Sequence, residues 1–243
     1  MAYQSVFKRY ELKYLLTQKQ KKAVLQAMTP YMKLDEYGRK TIRNIYFDTE
    51  NYRLIRKSLE KPAYKEKLRI RSYSKASSED MVFVELKKKY DSVVYKRRMA
   101  LEENQAMDWV LGKKPCVKQS QISNEIDYVL QYYQTLAPAV FLTYEREAFF
   151  EPDGGDFRVT FDENILCRQE AISLKADVWG TPLLAPGMTL MELKCSGGLP
   201  LWMVEVLSKE QIYKTSFSKY GTEYKQYVME NLKRKDEFVC LNQ

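Results

Sequence analysis

An α+β fold built on antiparallel strands is what this sequence predicts, and three observations carry that expectation. Eight segments alternate apolar and polar residues with the period of two that half-buries a strand. Five segments interspersed among them have the composition and flanks of helices. Short polar turns, Tyr90-Asp91-Ser92 and Pro152-Asp153-Gly154-Gly155, join two strand pairs as hairpins. Antiparallel strands interspersed with helices are the signature of the α+β class.

In chain order, strands are expected over residues 9–15, 42–47, 64–73, 81–89, 93–101, 139–149, 157–161 and 189–195. Helices are expected over 17–34, 51–59, 103–111, 121–136 and 216–233. Thr17 offers an N-cap to the first helix and Gly112 a stop to the third. On the fourth, Ile122, Ile126, Val129, Leu130 and Tyr133 form one apolar stripe, which reads as core packing. Residues 72–80 (SYSKASSED) read as a loop between two strands. No Gly-, Ser- or Pro-rich linker and no repeat of solenoid length divides the 243 residues, so one domain, 1–243, is expected.

Composition narrows the chemistry. Forty Lys and Arg against 32 Asp and Glu give a net charge of +8, which favours an anionic partner. Histidine is absent, which excludes Ser-His-Asp triads, Cys-His pairs and His-ligated zinc. Cys116, Cys167, Cys195 and Cys240 show no CxxC spacing and read as reduced thiols of a cytoplasmic protein. No apolar run approaches the length of a membrane span, so a soluble chain is expected.

The alternation itself points to function. In residues 64–73, Lys65, Lys67, Arg69 and Arg71 share one strand face, with Glu66, Leu68 and Ile70 on the other. Glu85, Lys87 and Lys89 share a face of the next strand; Arg9, Glu11 and Lys13 share one, as do Glu192 and Lys194. Arg146 lies with Tyr144, and Arg158 with Thr160 and Asp162. On any single strand such a face is ordinarily solvated. Its recurrence on most strands suggests a second arrangement. If the sheet closes with these faces inward, they line a basic lumen suited to a linear polyanion. Lys87-Lys88-Lys89 and Lys96-Arg97-Arg98 could instead form a nucleic-acid patch, but adjacent strand residues alternate faces, and no aromatic-glycine pattern of an RNA-binding sheet is present, so no nucleic acid is expected.

The ordered set Arg9-Tyr10-Glu11-Leu12-Lys13-Tyr14, Ile45-Tyr46-Phe47-Asp48-Thr49, Lys67-Leu68-Arg69-Ile70-Arg71-Ser72-Tyr73, Val84-Glu85-Leu86-Lys87, Tyr144-Glu145-Arg146, Phe157-Arg158-Val159, Leu190-Met191-Glu192-Leu193-Lys194 and Ser216-Phe217-Ser218-Lys219-Tyr220 resembles the triphosphate tunnel metalloenzymes. Within them it is most similar to the VTC-type polyphosphate polymerase domain in its free-standing bacterial form. The resemblance implies a closed antiparallel β-barrel with a basic lumen and helices packed outside. It implies that Lys13, Arg69, Arg71, Lys87, Arg146, Arg158 and Lys219 are the phosphate-binding catalytic cations, joined by Lys67, Lys96, Lys194 and Ser218, and that Glu192 holds a Mn²⁺ or Mg²⁺ ion. Glu11 and Glu85 read as partners of neighbouring lysines. ATP and polyphosphate are the implied ligands, and a separate membrane channel protein, which would place the chain at the membrane periphery, is the implied associate. The implied reaction transfers the γ-phosphoryl group of ATP to a growing chain and releases ADP; triphosphate hydrolysis, or polyanion binding without turnover, are the rival readings. One departure stands out: the superfamily's Glu-x-Glu-x-Lys is Arg9-x-Glu11-x-Lys13 here, one carboxylate short, which weighs against a simple triphosphatase.

Overall fold

The computed structural model describes residues 10–91, 93–152 and 154–230. Its first half runs β1 (Tyr10–Leu16), α1 (Gln18–Met28), β2 (Lys33–Leu34), β3 (Lys40–Asp48), α2 (Arg53–Leu59), β4 (Tyr64–Ser72), β5 (Met81–Tyr90), β6 (Val93–Glu102) and α3 (Glu103–Val110). The second half runs α4 (Gln121–Tyr133), β7 (Ala137–Phe150), β8 (Arg158–Arg168), β9 (Thr181–Pro182), β10 (Thr189–Cys195), α5 (Leu201–Lys209), β11 (Lys214–Thr215) and α6 (Lys219–Glu223), which continues as a π-helical turn, Tyr224–Met229.

The helix expected over 17–34 ends at Met28, and residues 33–34 pair with β7 instead. Its start is as expected: Thr17 and Gln20 form a reciprocal capping box. The helix expected over 216–233 becomes the short α6 and its π-turn, and residues 231–233 lie outside the described residues. So do Arg9, Cys240 and one residue of each hairpin turn, Ser92 and Asp153. Helix α5 was not anticipated from the sequence.

All strand pairs are antiparallel, in the order β11-β1-β10-β8-β7-β3-β4-β5-β6, with β2 added to β7 and β9 to β8. Six neighbour steps separate β1 from β5, yet Lys87 of β5 reaches Glu11 of β1 at 3.3 Å, so the sheet curls strongly. The expected closure differs in one respect. Among the described residues the ladder stays open between β6 and β11, because β11 has two residues to offer a ten-residue edge. Side chains bridge the seam: Lys67 of β4 donates to Ser218, and Lys87 of β5 to Glu11 of β1.

Three apolar clusters hold the curl. Leu68, Ile70, Val82, Val84 and Leu86 pack outward beneath α3 and α4, meeting Ala106, Trp109, Ile126 and Val129. Tyr14, Leu16, Met191 and Leu193 pack outward against Val24 and Met28 of α1 and Met203 and Leu207 of α5. The third cluster corrects the expectation that all helices lie outside. Tyr46, Val140 and Leu142 share the concave face with Arg69 and Arg71, and Phe217, Tyr220 and Tyr224 cover them. The terminal helix therefore fills part of the concave side. Asp48 anchors it, accepting from the Tyr220 hydroxyl at 2.8 Å and from the Leu54 and Ile55 amides at the start of α2. No helix among the described residues is long and apolar enough to cross a membrane.

Candidate functional site

The strand alternation turns every sequence-predicted site residue of the sheet to the concave face, and register sets their neighbours. Lys67, Lys87 and Lys96 lie directly opposite one another across β4, β5 and β6. One step along, Arg69, Glu85 and Arg98 form the next row, with Tyr46 of β3 beside Arg69. On the other side of the curl, Lys13 pairs with Glu192, which pairs in turn with Thr160, and Arg146 pairs with Asp162.

These rows make two unlike halves. In the half formed by β1, β10 and β8, carboxylates and cations alternate. Glu192 is within 3.6 Å of Lys13, 3.4 Å of Lys219, 3.3 Å of Arg146 and 3.2 Å of Lys194. Arg146 grips Asp162 with two bonds of 2.6 and 2.7 Å, and Lys219 reaches the same carboxylate at 2.5 Å. Burial works to raise both carboxyl pKa values, but the surrounding ammonium and guanidinium groups outweigh it and hold both below the usual carboxylate range. Burial likewise works against the Lys219 charge, and Asp162 and Glu192 reverse it, raising its pKa. Lys219 starts α6, whose N-cap is Ser218, so the helix that fills the concave side also delivers a cation to its centre.

The half formed by β4, β5 and β6 is short of carboxylates. Glu85, almost wholly buried, serves Arg69, Arg71, Lys96 and Arg98 alone, at 2.7, 3.7, 2.7 and 3.6 Å. Burial would raise its pKa; Arg69, Arg71 and Lys96 overcome that and lower it. Lys67 has no carboxylate within ion-pair distance among the described residues, and its ammonium donates to the Ser218 hydroxyl at 3.0 Å. Burial, then Lys87, Lys13, Lys65 and Arg69, push its pKa down to about 7. Lys96 is pushed down to about 8, chiefly by burial against the partial support of Glu85. Like charges set directly opposite on adjacent strands destabilise a sheet. A row that repels itself when empty is suited to a polyanion that neutralises it.

The remaining expected residues fall on the same face. Arg71 is buried and donates to Asn44 at 3.0 Å and toward the Tyr144 hydroxyl at 3.4 Å. Arg158 is exposed, in register with Lys194. Lys87 reaches Glu11, which also meets Lys13 at 3.2 Å, so Glu11 pairs with one lysine across the seam and one on its own strand. The sequence places Asp162 and Tyr144 on these strand faces without assigning them a role in the site. Their signal was there in the alternation: Asp162 stands two residues beyond Thr160 on the Arg158 face, and Tyr144 two residues before Arg146. Tyr144 is ringed by cations, with Lys219 4.5 Å and Arg146 5.0 Å from its ring centre. Burial would raise its pKa, and Arg71, Arg146 and Lys219 lower it.

The donor set can be tested against a divalent ion. No cluster of three or more acidic or thiol ligands occurs among the described residues, so the protein offers no all-protein cage. Mg²⁺-like ions need none: one or two carboxylates with phosphate oxygens and waters suffice. Glu192 fits that role together with a bound triphosphate, which would also draw Lys13, Lys194 and Lys219 toward its own oxygens.

A curled antiparallel sheet whose concave face gathers lysines and arginines has the fold and charge of an anion-binding protein. Within that class the chain belongs to the VTC domain family, whose sequence model matches residues 8–228. Among solved structures it is similar to a candidate adenylate cyclase from Bacillus halodurans, with 15% identity over 88% of this chain and 95% of that one, TM-score 0.53. A Hippeastrum protein, described as a candidate adenylyl cyclase with a dominant triphosphatase activity, shares 15% identity over 86% and 92% of the two chains, TM-score 0.49. A candidate adenylate cyclase from Vibrio parahaemolyticus shares 11% over 89% and 98%, TM-score 0.46. At these identities the likeness is one of fold, and the Bacillus halodurans structure carries it. No curated protein matches the sequence.

Proposed function

We propose that this chain is a metal-dependent polyphosphate polymerase, transferring the γ-phosphoryl group of ATP to the end of a polyphosphate chain and releasing ADP. The observation that carries the reading is the Lys67-Lys87-Lys96 row, three amines directly opposite one another, set beside a row in which one carboxylate, Glu85, serves Arg69, Arg71, Lys96 and Arg98. Membership of the VTC domain family supports the same reading.

The transfer would break the bond between the γ-phosphorus and its bridging oxygen and form one to a terminal phosphate oxygen. That nucleophile is already an anion at neutral pH, so no general base is needed and a histidine-free chain suffices. The protein's task is alignment and charge stabilisation. Arg69, Arg71 and Arg146, fixed by Glu85, Asn44 and Asp162, would orient the transferring group without reorganising. Lys67, Lys87 and Lys96 would draw in the acceptor chain and offset its repulsion toward ATP. Lys13, Lys194, Lys219, Arg158 and Ser218 would complete the ring of donors. Glu192 would hold a Mn²⁺ or Mg²⁺ ion, which supplies charge neutralisation on the phosphate oxygens. A separate membrane protein as associate, and a peripheral cytoplasmic position, belong to the same proposal.

Incubation with ATP and Mn²⁺, following ADP against orthophosphate and resolving products by gel, tests the reading. ADP in excess of orthophosphate, with a ladder of anionic products, is the expected result. Stoichiometric orthophosphate without a ladder would make the chain a triphosphatase, and tripolyphosphate binding without turnover would make it a binding module.

A further inference from the structure

Beyond the phosphate-binding cations, the concave face ends in an aromatic corner. Tyr73 directly follows the end of β4, two residues past Arg71, and is 37% exposed. Its ring meets Phe83 of β5 edge-on, with centres 5.6 Å apart. Arg98 of β6 places its guanidinium carbon 3.5 Å from the Phe83 ring centre and 5.5 Å from that of Tyr73. It also donates to the Tyr73 hydroxyl at 3.1 Å and lies 3.6 Å from Glu85. Tyr37, 60% exposed in the turn before β3, lies within electrostatic reach of Tyr73 and carries the Lys40 ammonium 4.6 Å from its ring centre.

We infer that the Tyr73-Phe83-Arg98 corner is a stacking platform for the nucleobase of the incoming nucleoside triphosphate. The inference rests on the polymerase reading and names the part of the substrate that reading leaves unplaced. A phosphate chain gains from N–H donors, yet Arg98 donates to the Tyr73 hydroxyl, is ion-paired with Glu85 and lies over the Phe83 ring, while the Tyr73 ring is partly exposed beside it. Planar bases stack on aromatic and guanidinium faces. The order along the chain also fits: Arg69 and Arg71 lie within β4 and Tyr73 directly past its end, so phosphates and base would follow one another in that order. Glu85 ties the two regions together, because it holds Arg69 and Arg71 on one side and Arg98 on the other. The other exposed ring pairs, Tyr128 with Tyr132 and Tyr31 with Trp202, lie on or against the outer helices α4 and α5.

Stacking of this kind discriminates the base weakly, so the platform would favour any purine nucleotide over bare phosphate. Calorimetric titration with adenylyl imidodiphosphate and, separately, tripolyphosphate at one Mg²⁺ concentration reads it directly. Tyr73→Ala should weaken the nucleotide analogue by about 10- to 100-fold and leave tripolyphosphate within about twofold. Tyr73→Phe, which keeps the ring, should restore most nucleotide affinity. Arg98→Lys, which keeps the charge without the planar group, should again weaken the nucleotide selectively. Equal losses for both ligands would overturn the inference, as would Tyr73→Ala with unchanged nucleotide binding while wild-type tripolyphosphate binding persists. A wild-type protein that binds neither ligand overturns the inference and the polymerase reading together.

Discussion

Replacing Lys67 by Met removes the ammonium from the most repulsive part of the concave face and keeps the length of its stem. In the ligand-free fold the amine sits at about 7 instead of 10.5, because of burial and then Lys87, Lys13, Lys65 and Arg69. The unfolded chain therefore holds that proton more tightly between about pH 7 and 10.5, so wild-type stability rises as pH rises through this window. At pH 8 the linkage amounts to about 3 kcal/mol against the folded wild type. Losing the bond to Ser218 removes about 1 kcal/mol of stabilisation. Lys67→Met should thus be about 2 kcal/mol more stable at pH 8, with a Tm higher by about 4–8 °C for a chain of this size. Tripolyphosphate binding should move the other way, weakening by about 10- to 150-fold, the worth of one charge-assisted hydrogen bond. At pH 8 a wild-type amine of pKa about 7 is mostly neutral, so binding should take up about 0.9 proton as phosphate recharges it. Calorimetry in buffers of different ionisation enthalpy counts that proton. Lys67→Met melting below wild type, or wild-type binding without proton uptake, would refute the account of this row.

Glu192→Gln keeps the size of the side chain and removes the anionic oxygen, so polymerisation should fall by at least about a hundredfold, while tripolyphosphate affinity holds or rises because Lys13, Lys194 and Lys219 are released; steady ADP formation at unchanged Mn²⁺ would dismiss Glu192 as the metal ligand. Glu223, buried on α6 with its Oε2 unpartnered, has its pKa raised to about 7 by burial despite the bond from Gln169. Its folded state holds the proton more tightly than the unfolded one, so the stability it gives is present below about pH 4.5 and lost as pH rises through about 7; Glu223→Gln should raise Tm at pH 8 and leave it near wild type at pH 5, and equal shifts at both would count against it. Leu68→Ala and Ile70→Ala, at fully buried outward positions, should each cost about 2–5 kcal/mol by denaturant midpoint, and a neutral result would mean that β4 faces the other way.

What the sequence reveals of this fold is governed by how local the cause is. Strand β4 was legible because both its faces are decisive: Lys65, Lys67, Arg69 and Arg71 cannot share a side with Leu68 and Ile70. Helix α5 was not, because exposed Leu201 and Val204 interrupt the contrast with buried Met203, Val206 and Leu207, so no polar face declares itself. The terminal helix was expected over 216–233, but whether Tyr220 and Tyr224 cover the convex or the concave face depends on Tyr46, Val140 and Leu142, far away in sequence. The alternation placed Asp162 on the right face, but the same distance hid its role, which comes from register with Arg146 and from Lys219 of α6. Glu85 was expected to serve a neighbouring lysine; cross-strand pairing makes it serve the cations of both flanking strands, Arg69 and Arg71 of β4 and Lys96 and Arg98 of β6.

The unequal charge balance of the two halves has a consequence for how an empty site stays folded. Around Glu192 and Asp162 every carboxylate oxygen already meets a cation, so that half is fixed before any ligand arrives. Around Lys67, Lys87 and Lys96 the repulsion is relieved by deprotonation, since two of these amines have pKa values near neutrality. The apolar clusters beneath β4 and β5 must hold that repulsive face in place, which is why the outward Leu68, Ile70, Val82, Val84 and Leu86 are fully buried. A polyphosphate chain then meets one half that is rigid and already ion-paired, and another whose charge rises as the anion enters. Binding to the second half should therefore gain strength as pH falls from about 8 toward 7, where Lys67 and Lys96 recharge without waiting for the ligand.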